Sequence, residues 1–96
     1  KALADLGARD GVLVTGVSPG PVKTDRWDML LRQQAEAAGE DVFAFEKARN
    51  AEYPLGRIAL PEEVADLIVF LASERATFLT GITITVDGGM TRGVFL

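Results

Sequence analysis

Two short β-branched runs constrain what this chain can become. Val12-Leu13-Val14-Thr15-Gly16-Val17, bounded by Asp10-Gly11 and by Ser18-Pro19-Gly20-Pro21, predicts a strand over 12–17 buried on both faces. Gly81-Ile82-Thr83-Ile84-Thr85-Val86-Asp87 alternates in polarity and runs into Gly88-Gly89, which predicts a strand over 81–87 closed by a tight turn. Roughly sixty-five residues of mostly helical patterning separate the two, and strands joined through helices pair in parallel by a crossover. A two-stranded sheet is not stable alone; about three strands over a covered apolar face are needed, and the sequence offers no third. The expected class is therefore α/β, with its parallel sheet incomplete in this chain.

Composition narrows the chemistry. The 96 residues are 48% apolar and 25% charged, a globular balance rather than a disordered one. Ten Lys plus Arg against fourteen Asp plus Glu give a net charge of −4, and no basic run occurs, so nucleic acid and anionic membrane are poor partners. The apolar runs fall far short of the ~20 residues that span a bilayer. With no cysteine and no histidine, a disulfide framework, a thiolate or imidazole metal site and a Ser-His-Asp or Cys-His nucleophile are all excluded within these residues, and no metal is expected. Carboxylates, Lys, Tyr and hydroxyls remain for any chemistry. A soluble, cytoplasmic protein is the default expectation, although the lack of cysteine suits either redox compartment.

The helical patterning is uneven. Lys1 to Leu6 resembles the end of a helix stopped at Gly7, and its lack of an N-cap leads to the expectation that it was cut from a longer chain. Pro19 and Pro21 fix the backbone around Gly20, leaving that residue for a positive φ or a close approach to a ligand. Asp25 is placed to cap a helix through Trp27, Leu30, Leu31 and Ala35, with Asp28 reaching back from N3 and Gly39 as its stop. A second helical piece, Asp41 to about Ala51, carries Val42, Phe43 and Phe45, and Tyr53 to Arg57 is a turn. Pro61, Glu62 and Glu63 open a helix over 61–73 that is apolar nearly all round, which predicts burial on more than one side. Val94-Phe95-Leu96 closes the chain on three hydrophobes.

Val14-Thr15-Gly16-Val17-Ser18-Pro19-Gly20-Pro21-Val22-Lys23-Thr24, then Pro54-Leu55-Gly56-Arg57, then Pro61-Glu62-Glu63-Val64-Ala65, then Gly81 through Asp87-Gly88-Gly89, resembles the C-terminal portion of a short-chain dehydrogenase/reductase. The resemblance runs over essentially the whole chain, and the motifs occur in that family's order. It implies the C-terminal part of a doubly wound, Rossmann-like parallel-sheet domain and an NAD or NADP cofactor. Pro19 and Gly20 would form a wall beside the nicotinamide, Val22 would hold the carboxamide through its backbone, and Thr24 would add a hydroxyl near the carboxamide and pyrophosphate. From the residues alone, Thr24 reads equally as an N-cap or turn hydroxyl before Asp25. Residues 25–51 match the family's variable substrate lid, where Trp27, Leu30, Leu31, Phe43 and Phe45 are candidates to cover an apolar substrate or simply to pack the lid. Arg57 reads as a structural, ion-paired or carbonyl-bonding residue, and Asp87-Gly88-Gly89 as a turn. Thr15 departs from the family's usual Asn.

No residue here matches the family's catalytic Ser or its Tyr-x-x-x-Lys pair; Lys1 reads as a surface residue, and Tyr53 has Arg57 rather than Lys four positions on. The resemblance thus implies part of an NAD(P)-dependent oxidoreductase acting on a small carbonyl or alcohol, inactive as 96 residues alone. It further implies a homodimer or homotetramer through 61–73 and 81–96. The competing reading is a self-standing, non-catalytic interaction module or remnant.

Overall fold

The two β-branched runs pair in parallel, as their separation requires. The computed structural model describes residues 1–91, so the terminal hydrophobes Val94-Phe95-Leu96 lie outside the described residues. The elements are α1 (Ala2–Ala8), β1 (Gly16–Pro19), α2 (Asp25–Ala37), α3 (Val42–Asn50), α4 (Pro61–Leu71), a 3₁₀ turn (Glu74–Ala76) and β2 (Thr83–Val86). Strands β1 and β2 form a two-stranded parallel sheet in the register Gly16–Thr83, Val17–Ile84, Ser18–Thr85 and Pro19–Val86. The chain divides into two compact units, one of residues 1–19 and 62–86, the other of residues 20–61 with 87 onward. Among the described residues no helix is long and apolar enough to cross a membrane.

In the first unit the β1 ladder begins later than the expected strand over 12–17, and it extends to Pro19. The reason is a substitution of partners. The Val14 N–H donates to the Thr80 hydroxyl oxygen at 3.0 Å rather than to a backbone carbonyl, while Gly81 N–H returns to Val14 O at 2.8 Å. Regular pairing therefore starts only at Gly16, whose N–H reaches Ile82 O at 2.9 Å. Thr15, where the family commonly has Asn, donates its hydroxyl to Leu79 O at 3.3 Å and so bonds to the same segment. The expected burial on both faces is not met, because Val12, Leu13, Ser18 and Pro19 are exposed. The strand expected over 81–87 is regular only over Thr83–Val86.

Helix α1 passes through Gly7 instead of stopping there. Lys1 Nζ pairs with Asp5 Oδ1 at 2.9 Å one turn along, and Gly7 O accepts both Asp10 N–H and Val12 N–H, at 3.0 and 2.9 Å. A Cβ on Gly7 would lie 3.0 Å from Val12 O, so glycine is needed there for the close return of the chain. Helix α4 ends at Leu71, two residues short of the expected 73, because the Ser73 hydroxyl donates to Phe70 O at 2.6 Å and accepts from Arg75 N–H at 3.2 Å, capping the 3₁₀ turn. The expectation that this helix is buried on more than one side fails among the described residues. None of its residues is buried, and Val69 and Phe70 remain 68% and 43% exposed.

The second unit is built from a helical pair on a short strand-like base. Thr24, not Asp25, is the N-cap of α2: its Oγ1 accepts the Trp27 N–H at 3.2 Å, and Asp25 becomes the first helical residue. The Asp28 carboxylate does not reach back to the cap but takes the Lys23 ammonium at 2.8 Å. Gly39 ends the helix as expected, with φ +68 and the two bonds of a Schellman motif, Glu40 N–H to Ala35 O and Gly39 N–H to Glu36 O. Asp41 caps α3 through Ala44 N–H at 3.2 Å. Leu31 and Ala35 bury the inner face of α2, and Ile58 is buried further along the same unit.

Candidate functional site

The segment between β1 and α2 is held as an isolated strand. Ala59 N–H donates to Pro21 O at 3.1 Å and Lys23 N–H donates to Ala59 O at 2.8 Å, a parallel bridge that centres on Val22 and Ala59. In that arrangement both bonds come from the residues flanking Val22, so the N–H and C=O of Val22 itself point to the opposite edge. They have no protein partner among the described residues. The edge thus presents one donor and one acceptor side by side, the complement of a primary amide.

Prolines and a threonine hydroxyl flank this edge along the sequence. Pro19 ends β1 in the first unit, opposite Val86, and is exposed. Gly20 opens the second unit and does not use a positive φ, so the expected left-handed role is corrected; the glycines that do are Gly11, Gly39, Gly56, Gly81, Gly88 and Gly89 among the described residues. What remains for Gly20 is its lack of a side chain. Thr24 takes the capping role, its oxygen accepting the Trp27 N–H, and its O–H proton can still donate. The first N–H groups of α2 lie at the same point, where the helix dipole favours negative charge.

Lys23 lies on the outer side of the segment. Its ammonium is held above its ordinary value of 10.5, first by the hydrogen bond to Asp28, against a smaller opposing effect of burial, and then by the charges of Asp28 and Glu46. Lys23, Glu46, Asn50, Arg57, Ile58 and Leu60 line an open hollow of about 270 Å³. Arg57 donates to Ile58 O at 3.2 Å, in keeping with the carbonyl-bonding structural role expected for it.

The five lid candidates separate. Trp27, Leu30 and Leu31 line one hollow of about 40 Å³ together with Gln34 and Arg49. Leu31 is itself buried, whereas Phe43 is 77% exposed and lines neither this hollow nor the larger one. Phe45 carries the Arg49 guanidinium 5.2 Å above its ring, a cation–π contact one helical turn long. Gln34 and Arg49 were not among the sequence candidates; their signal was helical spacing, Gln34 following Leu30 by four and Arg49 following Phe45 by four.

A family model described as enoyl-(acyl carrier protein) reductase matches residues 1–91. The 3-oxoacyl-[acyl-carrier-protein] reductase FabG of Rickettsia felis is 39% identical over 90 residues, which cover 94% of this chain and 33% of that protein. Among solved structures, a short chain dehydrogenase family protein from Francisella tularensis superposes with a TM-score of 0.86 at 39% identity, over 93% of this chain and 37% of the other. L-sorbose reductase from Gluconobacter frateurii, complexed with NADPH and L-sorbose, gives a TM-score of 0.87 at 34% identity, over 97% of this chain and 36% of the other. The chain spans about a third of the length of the curated relatives it matches. With a match along nearly its full length and the fold of solved members at these identities, the chain belongs to the short-chain dehydrogenase/reductase family.

Proposed function

We propose that these residues are the C-terminal portion of an NAD(P)-dependent oxidoreductase that interconverts a small carbonyl and its alcohol. They supply the nicotinamide-side wall, the substrate lid and part of an oligomer interface on a Rossmann-like domain completed by the rest of the protein. The observation that carries the reading is the unpaired edge of Val22. Its N–H and C=O are matched to the oxygen and NH₂ of a carboxamide, the proline on either side of Gly20 stiffens the approach, and Gly20 offers no side chain to block it. Val22 would hold the carboxamide, and the Thr24 hydroxyl with the first N–H groups of α2 would meet a phosphate. NAD or NADP, when bound, supplies or accepts the hydride. Trp27 and Leu30 would cover the substrate, with Gln34 and Arg49 as the polar groups within reach. The 96 residues alone are proposed to be inactive, since Tyr53 is the single tyrosine and has no lysine four positions on.

The test compares cofactors in the complete protein. NADH and NADPH are titrated beside analogues in which the nicotinamide carboxamide is replaced by a carboxylate, and turnover is followed with a panel of small ketones and aldehydes. Tighter binding of the amide form by about tenfold, together with NAD(P)H oxidation, is expected from one mismatched edge contact. Equal affinity for both forms removes the Val22 assignment, and no oxidation with any carbonyl removes the oxidoreductase reading.

A further inference from the structure

The turn that follows β2 is built more firmly than a surface turn needs to be. Asp87 Oδ1 accepts the Gly89 N–H at 3.0 Å, Oδ2 accepts the Thr91 N–H at 2.8 Å and also the Thr91 hydroxyl, and Met90 N–H returns to Asp87 O at 3.2 Å. Four bonds thus converge on one residue. Inside the loop they close, Gly88 and Gly89 take φ values of +61 and +85, which L side chains rarely adopt.

Within the same unit this double glycine meets the returning end of the α2–α3 segment. A Cβ on Gly88 would lie 3.2 Å from Leu55 Cδ1 and 3.5 Å from its Cγ, and one on Gly89 would lie 3.8 Å from Pro54 Cβ. Leu55 therefore lies close on the Gly88 backbone, where a Cβ would crowd it, and Pro54 lies at ordinary van der Waals distance from the position a Gly89 Cβ would take. They belong to a tight turn of their own, where Tyr53 N–H bonds Asn50 O at 3.1 Å and Gly56 N–H bonds Tyr53 O at 2.9 Å. The chain beyond that turn is pinned at Ala59 by its bridge to Val22. The helical pair is thus tied near its start by the Val22–Ala59 bridge, and at its return by the contact of Pro54 and Leu55 with the glycines.

Resting on the reading of residues 25–51 as a substrate lid, we infer that the Asp87-held double-glycine turn is the seat on which that lid's returning end is positioned. Asp87 and Gly88 are then positioning residues for substrate binding. They touch neither substrate nor cofactor and act through Leu55 and Pro54 on the helices that do. The carboxylate keeps the loop closed, and the closed loop keeps two glycines in the left-handed conformation that leaves space for Leu55. A side chain at Gly88 both strains the turn and lifts Leu55 from it.

The experiment uses the complete protein with Gly88→Ala, Asp87→Asn, Leu55→Ala and the double variant Gly88→Ala/Leu55→Ala. Steady-state kinetics separate KM from kcat, cofactor affinity is titrated independently, and hydrogen exchange is followed in peptides covering 25–55 and 83–86. Gly88→Ala is expected to raise substrate KM about fivefold, the scale of forcing an L residue into left-handed backbone, with cofactor affinity unchanged. Exchange in 25–55 should quicken while 83–86 stays protected. Adding Leu55→Ala should recover part of the KM, because the displaced side chain is then absent. Asp87→Asn should loosen 25–55 in the same selective way. Unchanged exchange in 25–55, or quickening shared equally by 83–86, overturns the inference and leaves the turn with a general stabilising role. If the wild-type protein oxidises no NAD(P)H, the oxidoreductase reading has failed, and the exchange data still decide whether the turn seats residues 25–55.

Discussion

Val14 and Thr80, 66 residues apart, face each other through a single hydroxyl: Thr80 Oγ1 accepts the Val14 N–H at 3.0 Å and lies 3.5 Å from the Val14 carbonyl. The side chain thus stands in for a rung of the ladder just before regular β1–β2 pairing begins. Thr80→Val keeps the shape and leaves a part-buried N–H without an acceptor, which should cost about 1–2 kcal/mol, between an ordinary hydrogen bond and an orphaned group. Thr80→Ser should recover most of it. Chemical denaturation of the complete protein measures both, and equal midpoints for wild type and Thr80→Val would show that the rung contributes nothing.

Gly16 is constrained by a different neighbour. A Cβ there would lie 2.9 Å from Thr83 Oγ1, its partner in register. Thr83 is exposed and can turn away, so Gly16→Ala should cost about 1 kcal/mol, the low end of overpacking. Thr83→Ala in the same protein should relieve that cost, making the two changes non-additive in a double-mutant cycle. Strict additivity of the two would mean that the close approach is not what selects glycine.

The parallel pair, the helices α2 and α3 and the stop at Gly39 were legible because each depends on local periodicity or on one residue with a special backbone. What escaped was non-local or degenerate. The late start of β1 depends on a threonine 66 residues away, which no strand propensity reports. Thr24 and Asp25 are both good capping residues, so only the observed bond to Trp27 N–H assigns the cap. The pairing of Val22 with Ala59 is one residue long and leaves no alternation to read. Val22 was named through resemblance; its free backbone edge became visible only with Ala59 in place. Phe43 and Leu31 looked equivalent as lid hydrophobes, and one is outward while the other is core.

The Asp87 turn should respond to acid. Its carboxyl is held below the ordinary value of 3.8, first by the Thr91 hydroxyl and then by the Thr91 N–H, with the Gly89 and Met90 N–H groups assisting against partial desolvation. A depressed carboxyl stabilises the folded turn above its ordinary value, and that contribution disappears as pH falls through the lower, folded one. The Gly89 and Thr91 amides should therefore remain protected above 3.8 and lose protection as pH falls below it, with Asp87→Asn removing the pH dependence. A carboxyl carbon titration of Asp87 with its midpoint above 3.8 would contradict the assignment.

Apolar side chains on α4 are exposed in these residues, which motivates a prediction about association of the complete protein. Val69 and Phe70 are 68% and 43% exposed, and Phe78 after the 3₁₀ turn is 99% exposed. Burying a side chain of this kind is worth roughly 1.5–3 kcal/mol, so we expect a homodimer or homotetramer that covers this surface. Val69→Glu should shift sedimentation of the complete protein toward smaller species. A wild-type monomer at micromolar concentration would show that the rest of its own chain covers the helix.

Thr24 carries the most informative substitution because its observed capping role and its proposed cofactor role use different atoms. As N-cap it offers oxygen to the Trp27 N–H; in the proposed cofactor contact it would offer its proton. Thr24→Ala removes both, and should lower stability by about 1 kcal/mol through the lost cap and cofactor affinity by about 0.5–1.5 kcal/mol through the lost donor. Thr24→Asp separates them. Aspartate caps at least as well and suits the helix dipole, so stability should be retained, yet it offers no proton and places a charge beside any phosphate. Cofactor fluorescence titrations and thermal denaturation of the three proteins decide the matter: if Thr24→Asp binds NAD(P)H as tightly as wild type, Thr24 is a cap alone, and the phosphate-facing role assigned to the start of α2 falls with it.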